Sequence, residues 1–206
     1  MQRRPLLARP TREQIATLPA YRALPPSRVH LLRTQEELAF AERELRAAVH
    51  IGFDTESKPT FNVGQVPTGP EVVQFATPDH AFIVQARTPG IDDFLRAMIE
   101  ATDIVKVGFG LASDRPALLR KFGLTLGASI DVSFLVRQLG YKDAVGLKTA
   151  VAIVLGQRLP KSKKTTTSNW AAPTLSPQQL QYAANDAHAS LLIYRALTRD
   201  SPAGSR

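Results

Sequence analysis

Asp54 and Glu56 close the apolar run Val49-His50-Ile51-Gly52-Phe53. Side chains of an extended strand alternate with period two, so both acids point to one face. Two like charges at the end of a central strand repel each other. A divalent cation held by oxygen ligands is the usual compensation. The chemistry open to such a pair depends on which further ligands the chain brings to it.

Two more acids stand on apolar helical rows. Tyr182 and Asp186 are four residues apart and share a helix face, on a row that continues through Ile193 and Leu197. A lone carboxylate there is expensive to bury and needs a partner, although an acid at a rim, bonded to solvent or an arginine, has the same pattern. Asp114 begins the row Asp114, Leu118, Phe122. With Pro116 close behind, it reads by itself as ordinary helix-start capping rather than as a ligand. No two of the four histidines are three or four residues apart, and there is no cysteine, so helical zinc pairs, thiolate metal sites and disulfides are excluded. Serine-nucleophile and phosphate-loop motifs are absent, and Gly108-Phe109-Gly110 is too short to signify nucleotide binding.

The net charge of +8 is unevenly placed. Residues 1–28 contribute +5, residues 156–170 contribute +4 through Arg158, Lys161, Lys163 and Lys164, and the remainder is −1. Two basic patches on a near-neutral body suit a polyanionic partner, and on charge alone suit solvated flexible segments equally well. No stretch approaches the roughly 18 apolar residues of a membrane span, so a soluble cytoplasmic protein without membrane contact is expected.

The elements that must position these groups can be read from periodicity. Residues 1–28 form a basic, Pro/Arg-rich arm with one short helix near 11–17. Thr34, with Glu37 as its capping-box partner, starts a helix running to about His50. The strand ending at Asp54-Thr55-Glu56 follows, and then a long loop over 57–70. Val72–Ala76 and Ala81–Val84 pair as antiparallel strands about a turn at Pro78-Asp79. Helices over 91–101, 113–122, 132–139 and 146–155 alternate with strands over 104–109 and 129–132. After the basic loop 156–170, Ser176 caps a helix to about Thr198, with Gln179 at the capping-box position. The order predicts an α/β domain over 29–200, a mixed β-sheet flanked by helices, with a tail at 201–206.

The order and spacing of Asp54-Thr55-Glu56, of Asp114 within Val107-Gly108-Phe109-Gly110-Leu111-Ala112-Ser113-Asp114, and of Tyr182 with Asp186 resemble one family. This is the DEDDy branch of the DnaQ-like 3′–5′ exonucleases, in the subgroup of ribonuclease D and the Werner-syndrome exonuclease domain. Gly146-Leu147-Lys148-Thr149-Ala150 and Ser168-Asn169-Trp170 add to the likeness, which covers roughly residues 30–197. Gln181 stands where the sister branch has histidine, so the tyrosine branch is the better match. The resemblance implies a ribonuclease H-like fold as a single exonuclease domain. It implies Asp54, Glu56, Asp114 and Asp186 as ligands of two divalent cations, Mg2+ or Mn2+. Asp54 would bridge both ions, Glu56 and Asp186 would complete the nucleophile-activating site, Asp114 would hold the second ion through water, and Tyr182 would orient the attacking water. The expected reaction is hydrolysis of phosphodiester bonds from the 3′ ends of RNA or DNA, with release of nucleoside 5′-monophosphates. Lys161, Lys163 and Lys164 are candidates to hold the strand backbone, and Phe61 to stack on a terminal base or to plug its own loop. A catalytically weak nucleic-acid-binding module and an RNase H-like endonuclease are the competing readings.

Overall fold

The computed structural model describes residues 7–58, 68–141 and 143–199. Six strands form one mixed sheet: β1 (Val29–Leu32), β2 (His50–Ser57), β3 (Pro70–Ala76), β4 (Ala81–Gln85), β5 (Val105–Gly108) and β6 (Ser129–Asp131). Their order across the sheet is β1-β4-β3-β2-β5-β6. β2, β3 and β4 are an antiparallel meander, while β1 joins β4, and β5 and β6 extend from β2, in parallel. β2 is therefore central, and its C-terminal end carries the acid pair.

The helices divide between the two faces by the period-two alternation of the strands. Ile51, Phe53, Val73, Phe75, Phe82 and Val84 point to the face covered by α2 (Gln35–Arg46) and α3 (Asp92–Ile99). The opposite face takes Val72, Ala76, Ala81 and Ile83, which meet the long α8 (Pro177–Arg199). α6 (Leu147–Leu155) packs behind α8, and its Ala150 and Val151 share a core with Ala189, Leu191 and Ile193. Every residue of α8 from Tyr182 to Leu191 is buried, so this helix is enclosed on all sides. Between α3 and α6 lie α4 (Asp114–Phe122) and α5 (Val132–Arg137). Among the described residues no helix is long and apolar enough to cross a membrane.

Both predicted capping boxes form: Thr34 with Glu37, and Ser176 with Gln179. The helix expected to reach His50 stops at Arg46, and His50 opens β2. The edge strand β1 was hidden by its length of four residues. The short α7 (Lys163–Thr166) was hidden by the surrounding basic and polar residues. The arm also differs from the expected extended segment beyond its short helix. After α1 (Arg12–Thr17), Tyr21 N–H donates to the Arg158 carbonyl (3.1 Å) and Arg158 N–H to that of Pro19 (2.8 Å). Ile15, Tyr21 and Leu24 are buried. Sparse apolar residues among prolines lack a period, so sequence patterning could not show that they dock.

Candidate active site

The site is assembled by a close approach of α8 to β2. A Cβ on Gly52 would collide with the backbone carbonyl of Ala187, so only glycine lets the helix sit this close. The neighbour of Ala187 is Asp186, and two residues beyond Gly52 on the same strand face is Asp54. One contact of backbone against backbone thus brings a C-terminal acid to an N-terminal one. Asp54, Glu56 and Asp186 each place a carboxylate oxygen within 4.8 Å of the others. A break in the β2–β3 register between Glu56 and Ser57 ends the regular ladder just past the pair.

Asp114 lies beside this group but is not within it. It is buried at the start of α4 and accepts a hydrogen bond of 2.5 Å from the Thr55 hydroxyl. Thr55 points to the strand face opposite the acid pair and so ties Asp114 to the edge of the site. Asp114 makes no side-chain cap, for Ser113 is the N-cap residue and no side-chain cap bond forms there. The loop before Asp114 is held by Asp131, whose carboxylate accepts from the Gly110, Leu111 and Ser133 amides.

Lys161 is the cation of the site. Its Nζ donates to Asp186 Oδ2 (2.5 Å) and to the Tyr182 hydroxyl (3.2 Å), and lies 4.9 Å from the Tyr182 ring centre. The Tyr182 and Thr166 hydroxyls share a hydrogen bond (3.1 Å), and Thr166 Oγ1 also lies 3.1 Å from the Ser162 carbonyl. The Tyr182 ring packs on the fully buried Trp170. The lysines were expected to act as a loop patch, but the fold divides them. Lys161 turns inward onto Asp186, while Lys164 is exposed. Phe61 lies outside the described residues, as does the side chain of Lys163.

The electrostatics describe an acid cluster short of positive charge. Burial, then Asp186, Glu56 and Asp114, hold the Asp54 carboxyl well above the usual range, against the opposing pull of Lys161. Burial and Asp186 push Glu56 up to about 8. Asp186 is raised by burial despite Lys161, and Asp114 by burial despite Thr55. Burial and Asp186 also raise the Tyr182 phenol, so it stays protonated at neutral pH. Asp186 Oδ1 is buried without a hydrogen bond. An all-oxygen donor set, an orphaned carboxylate oxygen and raised acids suit hard divalent cations, which would supply the missing charge. Sequence reasoning missed Lys161 as a partner of Asp186. It also missed Thr55, Asp131 and Gln74. Gln74 stands opposite Asp54 in the β2–β3 register, and its buried amide has no hydrogen-bond partner. Adjacency to the acid motifs could have flagged Thr55; the rest had no local signal.

Residues 29–201 match a family model described as 3′–5′ exonuclease. The chain belongs to this 3′–5′ exonuclease family. It is 31% identical over 163 residues to a 3′–5′ exonuclease of Arabidopsis thaliana, covering 78% of this chain and 56% of that protein. It is 30% identical over 170 residues to the ribonuclease D of Gluconacetobacter diazotrophicus, covering 81% of this chain and 42% of the relative. The chain thus spans about half the length of these curated relatives. Among solved structures, the Nibbler EXO domain of Aedes aegypti superposes with a TM-score of 0.74 at 26% identity, covering 87% of this chain and 91% of that one. The Escherichia coli RNase D shares the fold, with a TM-score of 0.72 at 24% identity, over 82% of this chain and 44% of that one.

Proposed function

We propose that this chain is a metal-dependent 3′–5′ exonuclease that removes nucleoside 5′-monophosphates from the 3′ ends of RNA or single-stranded DNA. The observation that carries this reading is the convergence of Asp54, Glu56 and Asp186 beside Tyr182, in a member of this family. A ribonuclease D of the same fold from Trypanosoma brucei has been solved with RNA, which supports a nucleic-acid substrate. We take residues 29–200 as the exonuclease domain, 1–28 as an arm and 201–206 as a tail.

Asp54, Glu56 and Asp186, with Asp114 beside them, would hold two divalent cations, Mg2+ or Mn2+, which supply charge stabilisation for the attacking and leaving oxygens of an in-line displacement. The protein's own contribution is position. Asp54 reaches both neighbouring acids from a rigid central strand, and Asp186 is set by the contact of α8 with Gly52. Tyr182 keeps its proton and presents its hydroxyl beside Asp186, where it would orient the attacking water. In the reaction a bond forms between phosphorus and the water oxygen as that water gives up a proton, the bond from phosphorus to the 3′-oxygen breaks, and the departing 3′-oxygen takes a proton to become a hydroxyl. Lys161, and Lys164 farther out, would meet the phosphate backbone.

The test is incubation of a 5′-labelled single strand with Mg2+ or Mn2+. A ladder of progressively shortened products supports the proposal. Internal cuts or cleavage of a closed circle would replace it with an endonuclease, and retained binding without turnover would reduce it to a binding module. Asp54→Asn removes one ligand charge and should lower the rate by about 10³-fold or more, several kcal/mol of lost charge stabilisation. Unchanged activity would refute the site.

A further inference from the structure

A cavity of about 570 Å3 is lined in part by Lys161 and Tyr182, the two groups that neighbour Asp186. Lys148, Arg158 and Lys161 contribute to its wall, together with Tyr21, Gln178 and Gln181, and no described acidic residue lines it. Lys148 and Arg158 are exposed and have no ion-pair partner among the described residues. One wall comes from the arm, which lies outside the residues matched by the family model. This wall is firmly seated. The reciprocal backbone bonds between the arm and Arg158 close it at one end. Gln181 Nε2 donates to the Leu24 carbonyl, and the Tyr21 hydroxyl donates to His188 Nδ1 (2.8 Å), whose Nε2–H is taken by the Pro78 carbonyl.

We infer that this cavity, between the arm and the 158–165 loop, is a binding subsite for the phosphodiester backbone of a single strand whose 3′ end lies at the carboxylate cluster. The inference rests on the exonuclease reading above and specifies where the rest of its substrate runs. Unpaired cations beside polar amides suit an anion with flanking sugars. Tyr21, Leu159 and Pro160 add apolar surface to the wall, which suits the sugars. Continuity with the reaction centre comes through Lys161, which lines the cavity while its ammonium touches Asp186. A strand seated in the cavity would lead past Lys161 to the acids.

The experiment is equilibrium binding of a fluorescent single strand in EDTA, so that hydrolysis plays no part, as a function of KCl. The proteins compared are the unaltered chain and the double variant Lys148→Gln/Arg158→Gln. Both positions are exposed, so the variant should keep the wild-type circular dichroism and thermal transition. Each single-strand phosphate contact contributes about 0.7 to the slope of log K against log salt, so the double variant should lose about 1.4 of that slope. Affinity at low salt should fall about tenfold or more. The same charge change on the opposite face of the sheet, Arg43→Gln/Arg46→Gln, should leave the slope in place. Equal slopes for the unaltered chain and the Lys148/Arg158 variant would overturn this inference, even if the unaltered chain hydrolyses strands. Failure of the unaltered chain to hydrolyse any strand would instead strike the exonuclease reading. A mononucleotide arm separates the two phosphate sources. If the Lys148/Arg158 variant weakens a free nucleoside monophosphate as much as the strand, the cavity holds a free phosphate monoester and the strand assignment falls.

Discussion

Replacing Lys161 with methionine is the most direct probe of the charge balance in this site. The substitution keeps the length of the side chain and removes its charge. The Asp186 side chain is 4% exposed, and that of Lys161 is 25% exposed. Among the described residues Lys161 makes the only ion pair with the cluster. Removing one partner of a buried pair leaves the other uncompensated, which typically costs about 3–5 kcal/mol. Asp186 can escape part of that cost by taking up a proton. At pH 5, within about one unit of an ordinary aspartate pKa, the uptake is cheap and the loss should be about 1 kcal/mol. At pH 8 uptake is costly and the loss should approach about 3 kcal/mol. For a domain of this size each kcal/mol corresponds to roughly 2–4 °C in Tm, so the expected drop is roughly 2–4 °C at pH 5 and roughly 6–12 °C at pH 8. Saturating Mg2+ should restore most of the loss at pH 8, because an ion on Asp186 replaces the missing charge. Mn2+ titrated by calorimetry should bind the variant more tightly than the unaltered protein, since the lysine no longer competes for Asp186. A drop of the same size at both pH values, indifferent to Mg2+, would refute this reasoning and assign Lys161 to packing alone.

Without divalent ions, stability should fall as pH rises from about 4.5 to 8. Glu56 is raised in the folded state from its ordinary 4.5 to about 8, so in that window the folded protein binds more protons than the unfolded chain. The full shift corresponds to roughly 5 kcal/mol, and the partial exposure of Glu56 reduces this to on the order of 2 kcal/mol. Urea titrations at pH 5 and 8 would show it, and a flat profile would contradict it. Gly52→Ala should cost about 3 kcal/mol, because the obstacle is helix backbone that no rotamer change removes, and should weaken Mn2+ binding by displacing Asp186. Urea unfolding and Mn2+ calorimetry measure both effects, and a neutral result would dismiss the close contact. Gln74→Met should raise stability by about 1–2 kcal/mol, since it removes a buried amide that has no partner, and a loss of stability would show that the amide is satisfied in solution.

The acids were legible because their spacing follows the element that carries them. Asp54 and Glu56 obey the period of a strand, and Tyr182 and Asp186 that of a helix, so each pair could be placed on a face before any tertiary contact was known. Capping residues such as Thr34 and Ser176 were legible for the same reason, since their chemistry lies within four residues. The arm, by contrast, has no period, and its docking depends on reciprocal bonds to Arg158, more than a hundred residues away in the chain. The basic loop read as one uniform patch, because composition does not say which way a lysine turns.

Local spacing therefore placed each pair of acids, or acid and phenol, on one face, but left the rim-acid and helix-start readings open. The resemblance to the exonuclease family is what joined them into one expected cation site. Neither could say that Gly52 admits the backbone of α8, that Lys161 rather than a solvated arginine meets Asp186, or that Asp114 is held to the side by Thr55. Periodicity constrains neighbours along one element. The meeting of β2 with α8, and the desolvation that raises the acids, depend on surfaces far apart in sequence that become adjacent only when the core closes.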